Sequence, residues 1–409
     1  MPTLGGEDTS RLFDLPKGSP MDNTASITAA DFDTIVVGGG IAGVSIAYEL
    51  AAHRSVALVE RESTLAYHTT GRSAATFLES YGNATVRALT RASRDFFVAP
   101  PDIVDGPLVA ELPLLIVAEE TEVDGLRALY ETVSPRSQTI ELVDGNAAEQ
   151  LNPMLRSGYT DLAMVDYGSL ELDVHGLHQG FLRGLRRRGG TVLKSAGIVE
   201  ARRERSSWVL RDAAGDELRA RTVVNAAGAW CDEVAGMFGA APIGIAPLRR
   251  TAFMVPDPRE TPARSIAARR TMTMSASEDF YFKPDGAGFL CSPAEETPQP
   301  PSDAKPDDLE IARAIERLNE ATLLAVRSVS TSWAGLRSFT ADRTPVVGPD
   351  PAVDGLFWFA GQGGYGIQMA PALARAGASL ALTDDLPADL ADFGITAASL
   401  APGRSALAA

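Results

Sequence analysis

A two-domain α/β (α+β) fold, one domain on a parallel sheet and the other on an antiparallel sheet, is what this sequence predicts. Three observations lead there. A glycine-rich βαβ pattern stands near the start, hairpin-like strands take over in two later stretches, and strand–turn–helix patterning returns near the end.

The βαβ pattern is "DFDTIVVGGGIAGVSIAYELAAHRSVALVER", residues 31–61. Ile35 to Val37 reads as a buried strand, Gly38, Gly40 and Gly43 give GxGxxG, and Ile41 to Leu50 reads as the helix that follows. A second apolar run ends in Glu60, 60 − 38 = 22 residues past the first glycine. That is close to the ~20 expected of a carboxylate holding a ribose hydroxyl. Gly38 permits a tight turn, Gly40 lets backbone approach a pyrophosphate, and Gly43 lets helix and strand pack closely, while the helix N-terminus offers amides to the anion. The spacing predicts a dinucleotide and argues against a 2′-phosphate. It does not choose between NAD and FAD.

The 409 residues allow a large core and favour more than one structural unit. An excess of 53 acidic over 37 basic residues gives −16, which disfavours nucleic acid and anionic membranes as partners. Cys231 and Cys291 are too few for a disulfide framework or a thiolate metal site and fit a reducing compartment. His175 and His178 share a helix face without a third ligand, so packing outweighs metal binding. No apolar run approaches a membrane span and the start lacks the order of a secretory signal, so a cytoplasmic protein is expected. Residues 1–30 read as a flexible extension, with Met21 a candidate start, and 401–409 as a loose tail.

Along the chain, "NATVRALTRASRDFF" has an Asn cap and helical spacing. From about residue 107 come the strand "PLLIVA", the helix "EVDGLRALYETV" and the strand "GYTDLAMVD". Helical spacing returns through Val174, Leu177, Phe181 and Leu185, followed by "TVLKSA", a hairpin turning at Ala214 and Gly215, and the buried strand "TVVNA". Beyond Ala246 strands dominate ("RRTAFMV", "DFYFKP", "GFLCSP"), then an acidic, proline-rich loop at 293–308, then the helix "LEIARAIERLNEATLL". The last third ends with "GLFWFAG", the glycine turn "QGGYGIQ" and a long helix. A nucleotide-binding domain collects 31–106, 171–243 and 338–400, and an antiparallel-sheet domain collects 107–170 and 244–337. Ligands favour such interfaces.

The stretches "GGGIAG", "YHTTGRSAA", "LHQGFLRG", "VNAAGAWCDEVAG", "RRTAF", "FYFKPD", "SWAGLRSFTAD" and "AGQGGYGIQ", in that order, resemble the FAD-dependent glycine/D-amino-acid oxidase superfamily. Within it, D-arginine dehydrogenase and similar D-amino-acid dehydrogenases look closest. The resemblance implies a Rossmann-like FAD-binding domain interleaved with a substrate domain, and FAD over NAD. Beside the glycine motif, Ile41, Ala42 and Arg61 join the cofactor set. Thr70, Gly71, Arg72, Ser73, Ala74 and Ala75 would wrap the flavin side of the pyrophosphate, with Arg72 adding positive charge. Val199 would meet the adenine through its backbone, and Asn225, Ala226, Gly228 and Trp230 would pass close to the dinucleotide. Gly361, Gly363, Gly364, Tyr365, Gly366, Ile367 and Gln368 would bring backbone donors and the last helix's N-terminus to the flavin. With no cysteine after Arg337, non-covalent FAD is implied.

On the substrate side, the resemblance implies that Arg337 and Arg250, with Tyr281 and Tyr81, hold a carboxylate while the Gly364 backbone meets the amine. A guanidinium presents paired donors matched to a carboxylate, and an Arg between apolar neighbours, as in "WAGLRSF", needs a buried partner. Two departures concern the substrate side chain: Leu114 stands where the D-arginine enzyme has a glutamate, and Thr76 where it has a histidine beside the flavin loop. Glu111 has an odd offset from Leu114 and is expected on the opposite strand face. The implied reaction is oxidation of a D-amino acid, apolar or neutral in side chain, by hydride transfer to flavin N5, giving an imine and then a 2-keto acid. Oxygen or another electron acceptor, and N-alkyl amino acids, opines or 2-hydroxy acids as substrates, remain open. So does a non-catalytic flavoprotein subunit or assembly factor, against which the retained arginines weigh.

Overall fold

The computed structural model describes residues 30–256 and 271–407. The expected extension at 1–30 and the Met21 start therefore lie almost wholly outside the described residues.

Two large sheets organise the chain. The first runs β10 (Ile198–Glu204), β11 (Ser207–Asp212), β12 (Glu217–Asn225), β1 (Ala30–Val37), β2 (Val56–Val59), β9 (Thr191–Leu193), with β20 (Leu356–Ala360) joining β12 and β19 (Val346–Pro349) joining β20. Its centre is parallel: β1 lies between β2 and β12 with Val37 opposite Val59 on one side and Asn225 on the other. Strands covered on both faces read as unbroken apolar runs, which is why Ile35, Val36 and Leu58 are fully buried. One face is covered by α1 (Ile41–Leu50), α2 (Ala84–Val98), α5 (Val174–Arg187) and α8 (Gly366–Thr383); the other meets α6 (Cys231–Met237). Asn83 caps α2 by accepting from the Val86 amide. Cys231 is buried on that second face without a disulfide partner.

The second sheet runs β17 (Thr297–Pro298), β13 (Ala246–Pro256), β16 (Gly288–Ser292), β15 (Tyr281–Asp285), β14 (Met272–Ser275), β5 (Leu114–Ala118), β7 (Leu162–Asp166), β6 (Ile140–Asp144), and β18 (Thr331–Phe339) adds to β13. Every pairing in it is antiparallel except β5 with β14. Helix α7 (Asp308–Ala321) buries Ile311, Ala314 and Leu318 against Phe253, Phe282 and Phe289 on one face, together with residues near α4 (Gly145–Leu151). On the other face, α3 (Val123–Val133) packs over β6 and β7. A small sheet, β3 (Thr76–Phe77), β8 (Leu170–Leu172) and β4 (Val109–Glu111), accompanies the two.

Two expectations are corrected. Glu111 ends β4 in the small sheet and Leu114 opens β5 in the large one, so they do not alternate on one strand; Leu112 and Pro113 break it. The tail is not loose as far as Leu407: Arg404 donates through Nε and Nη2 to the two oxygens of Asp342, 2.8 Å each, and also to the Thr344 carbonyl. The Arg404 side chain is only 9% exposed. Burial raises the Asp342 pKa, but the Arg404 hydrogen bond and charge overcome it and hold the carboxyl below its usual value. A depressed carboxyl pKa contributes stability that is complete above ~4 and is lost as pH falls through the folded value. Arg404→Ala should cost on the order of 2 kcal/mol in urea unfolding at neutral pH, with the difference from wild type shrinking on acidification through that range.

Candidate functional site

A cavity of about 590 Å3 has walls from both large sheets. Its dinucleotide wall begins at the end of β1. Gly38 has φ +113°, and a Cβ there would meet the Ala226 oxygen at 2.4 Å; a Cβ on Gly43 would lie 1.7 Å from the Gly38 oxygen. Only glycine allows strand, turn and helix to come this close. Gly39 is pinned twice. Its amide donates to Glu60 Oε2 at 2.8 Å, and its carbonyl accepts from His178 Nε2 at 3.0 Å. Glu60 Oε1 accepts the Glu62 amide at 2.9 Å, and Thr70 Oγ1 accepts the Ile41 amide at 3.0 Å.

Of the residues expected to hold a cofactor, Gly40, Ala42, Arg61, Ser73, Ala74 and Ala75 line this cavity, as do Val199, Ala226, Gly228 and Trp230. Gly363, Gly364, Gly366, Ile367 and Gln368 line it from the α8 side. The Arg61 guanidinium stacks 4.4 Å over the Trp230 ring, a contact that fixes both. The residues fit a dinucleotide: the glycine cradle is open to backbone contact, and His68 Nδ1, on the same wall, is buried without a partner.

Several expected members serve the frame instead. Gly43, Gly71, Asn225, Gly361 and Tyr365 are not on the cavity wall. The Asn225 amide donates to the Cys231 carbonyl at 2.8 Å and holds the turn after β12. The Gly71 amide donates to Ala66, Gly361 turns with φ +71°, and the Tyr365 ring lies edge-on to Tyr81 at 5.1 Å. Arg72 lines the cavity, and its guanidinium pairs with Asp303 and donates to the carbonyls of Ala304 and Ala334. Gln368 spends its amide on Leu78 and Thr90.

The other end of the cavity is built on β13 and β18. Arg250 faces Gly335 and Leu248 faces Arg337, so the two arginines are diagonal neighbours on one sheet face. Glu296 holds them. It accepts from Arg250 at 3.3 Å and Arg343, and lies 4.0 Å from Arg337. Arg250 also donates to the Glu295 carbonyl at 2.9 Å. Burial, then the Arg337 charge, lower the Arg250 pKa. Burial works against charge on Arg337 too, but Tyr81, Tyr281 and Glu296 outweigh it and raise its pKa. Arg337 Nη1 is 3.5 Å from the Tyr81 hydroxyl. A Cβ on Gly364 would lie 2.7 Å from the Arg337 guanidinium carbon, so glycine there makes room for the group.

Tyr81, Tyr281, Arg250, Arg337 and Gly364 thus share one end of the cavity, with Thr76 on its wall. Leu114 does not reach it. Leu114 pairs with Met272 one strand nearer than itself to the arginines, and Met272 and Met274 face the cavity in its place. Sequence reasoning missed these methionines and Glu296, and read His178 as a packing residue without seeing its bond to Gly39. The one signal for Glu296 was the partner that a buried Arg337 requires. Among the described residues no group of His, Cys, Asp and Glu is placed to hold a metal ion.

The model of the DAO family, "FAD dependent oxidoreductase", matches residues 33–380. The chain belongs to this family. FAD is therefore its cofactor, and the family's members include similar proteins of several activities. The FAD-dependent oxidoreductase domain-containing protein 1 of Bos taurus is 26% identical over 429 aligned positions, covering 89% of this chain and 84% of that one. Glycine oxidase of Geobacillus kaustophilus is 24% identical, covering 89% and 97%; its crystal structure has a TM-score of 0.74. L-proline dehydrogenase from P. horikoshii has a TM-score of 0.76 at 19% identity, covering 87% and 95% of the two chains. The two solved structures share the fold of this chain. The relatives carry no specific support for the D-arginine dehydrogenase group.

Because the His178 pKa is lowered, chiefly by burial, its neutral form stabilises the fold fully above ~6.5, and that stability is lost as pH falls toward the folded pKa. Thermal denaturation of the FAD-loaded enzyme across about pH 5 to 8 should show this loss in wild type and a flatter profile in His178→Gln.

Proposed function

We propose that this enzyme oxidises an α-amino acid of apolar or neutral side chain, in the D configuration, at its Cα–N bond. The observation that carries the reading is the diagonal pair Arg337 and Arg250 on one sheet face, beside a wall of Ala252, Met272 and Met274. Two buried guanidiniums with a single shared carboxylate, Glu296, leave positive charge for a substrate carboxylate to balance. Glycine oxidase and L-proline dehydrogenase, both similar in fold, are named for amino-acid substrates, which supports an amino acid over other acids.

The residues divide the work by position. Arg337 and Arg250 bind the carboxylate and fix the neighbouring carbon, with Tyr81 and Tyr281 lining the same end of the cavity. The Gly364 backbone, beside the Arg337 guanidinium, is in place for the amine. The methionines take the side chain, since their flexible thioethers adapt to different apolar shapes. FAD, when bound, supplies the acceptor for the hydride that leaves Cα. The imine then hydrolyses to a 2-keto acid and ammonia.

A basic substrate side chain is disfavoured, because Glu296 is already shared by Arg250, Arg337 and Arg343, and the neighbouring wall of Met272 and Met274 has no charge to offer. Glu278 lies at the cavity wall but is exposed, so solvent screens its charge.

Mixing FAD-loaded enzyme anaerobically with D- and L-amino acids, N-methyl amino acids and 2-hydroxy acids should bleach the flavin fastest with D-amino acids of apolar or neutral side chain. D-Arg as the best substrate, or a hydroxy acid, would overturn the reading. Arg337→Met should lower kcat/KM about 100-fold or more, the loss of roughly 3 kcal/mol of charge-assisted hydrogen bonding. Gly364→Ala, which pushes on the same guanidinium, should raise KM while FAD stays bound, as equilibrium titration of the cofactor would show.

A further inference from the structure

A second cavity, of about 240 Å3, opens on the far side of the loop that carries Tyr81. Glu79 and Ser80 line it, whereas Tyr81, the next residue, lines the FAD cavity. Its walls hold three arginines: Arg87 and Arg91 from α2, and Arg136 from the turn after α3. In a chain of net charge −16 this is a local reversal of sign.

The hydrogen bonds show how little of that charge is met. Arg87 donates to the Gly82 carbonyl, a neutral partner. Neither Arg91 nor Arg136 makes a hydrogen bond or an ion pair among the described residues. The one lining carboxylate, Glu79, is taken by Arg94 at 2.8 Å. Asp166, which is bonded to the lining residue Ser80, also accepts from Thr139 and Gly168. Arg87 and Arg91 are four residues apart on α2, a like-charge spacing that destabilises a helix by a few tenths of a kcal/mol unless an anion lies between. Burial and then the Arg136 charge lower the Arg87 pKa, and Arg91 is lowered by burial despite Glu79. The cavity also touches Ala84, the first residue of the 15-residue α2, so that helix's amide end adds to the positive potential.

We infer that this cavity is a binding site for a small multivalent oxyanion, with phosphate as the simplest member, held by Arg91 and Arg136 against the start of α2. Guanidinium forks match tetrahedral oxyanions, and a concave site of this size takes a phosphate or a small phosphate ester and excludes a macromolecule. The hydroxyls of Ser80 and Thr132 already donate to Asp166 and Ala128, so the arginines carry the recognition.

The test is a phosphate titration of the FAD-loaded enzyme at constant ionic strength, with chloride as the balancing salt, followed by calorimetry and by thermal shift. Saturable binding of one phosphate per chain is expected, weakened at least tenfold in Arg91→Gln and in Arg136→Gln and retained in Arg337→Met. Both Gln variants alter half-buried or exposed positions, and their FAD content and melting in chloride check the fold. Absence of saturable binding, or binding that survives both Gln variants and disappears in Arg337→Met, would overturn the site.

Discussion

The structure depends on keeping two like charges side by side in a place with little water. Arg250 and Arg337 come from neighbouring strands, and nothing in an antiparallel pairing forces the guanidiniums together; the register does, with Arg250 opposite Gly335 and Arg337 opposite Leu248. A one-residue slip would turn one of them to the opposite face, where Arg249 meets Asp307. Burial of two cations is costly unless paired. Glu296 supplies the pairing only in part, and it is shared further with Arg343, whose guanidinium also rests 4.3 Å over the Phe339 ring. The remainder of the cost is left to be met by an anion, which is what the proposed carboxylate substrate would bring.

That frame is fastened to the dinucleotide wall at a few points. Thr69 donates to the Leu336 carbonyl at 2.7 Å, Arg72 donates to Ala334, and the Gly363 amide donates to Ser338. All three land on β18 within three residues of Arg337. The strand that bears Arg337 is therefore held by two of the segments that line the cofactor cavity. Two of these contacts are donated by side chains and one by a backbone amide, and all three end on β18 carbonyls.

Much of this was legible from the chain alone, and the reasons differ by element. The first βαβ unit was readable because its strand is apolar on both faces and its glycines sit at steric necessities, Gly38 and Gly43. Arg337 announced itself as a charge among apolar neighbours. Glu296 stayed hidden in a proline-rich acidic stretch that reads as solvated, and only the fold brings it to the arginines. The ion-pair partner of Arg72 could not be read from the chain, since Asp303 lies 231 residues away. Leu114 fell one strand short because register across a sheet cannot be read from one strand's sequence, and Met272 took its place. The anchored tail was invisible for the same cause: Arg404 finds Asp342 only in three dimensions.

The order of strands has a genetic corollary. The polypeptide passes from the first large sheet to the second and back twice, so each sheet is a mosaic of separated stretches. No contiguous stretch of coding sequence specifies either half, and recombination at one point would leave both unfinished. New substrate ranges on such a scaffold have to arise by replacing individual wall residues or whole loops, with the module as a unit closed to exchange.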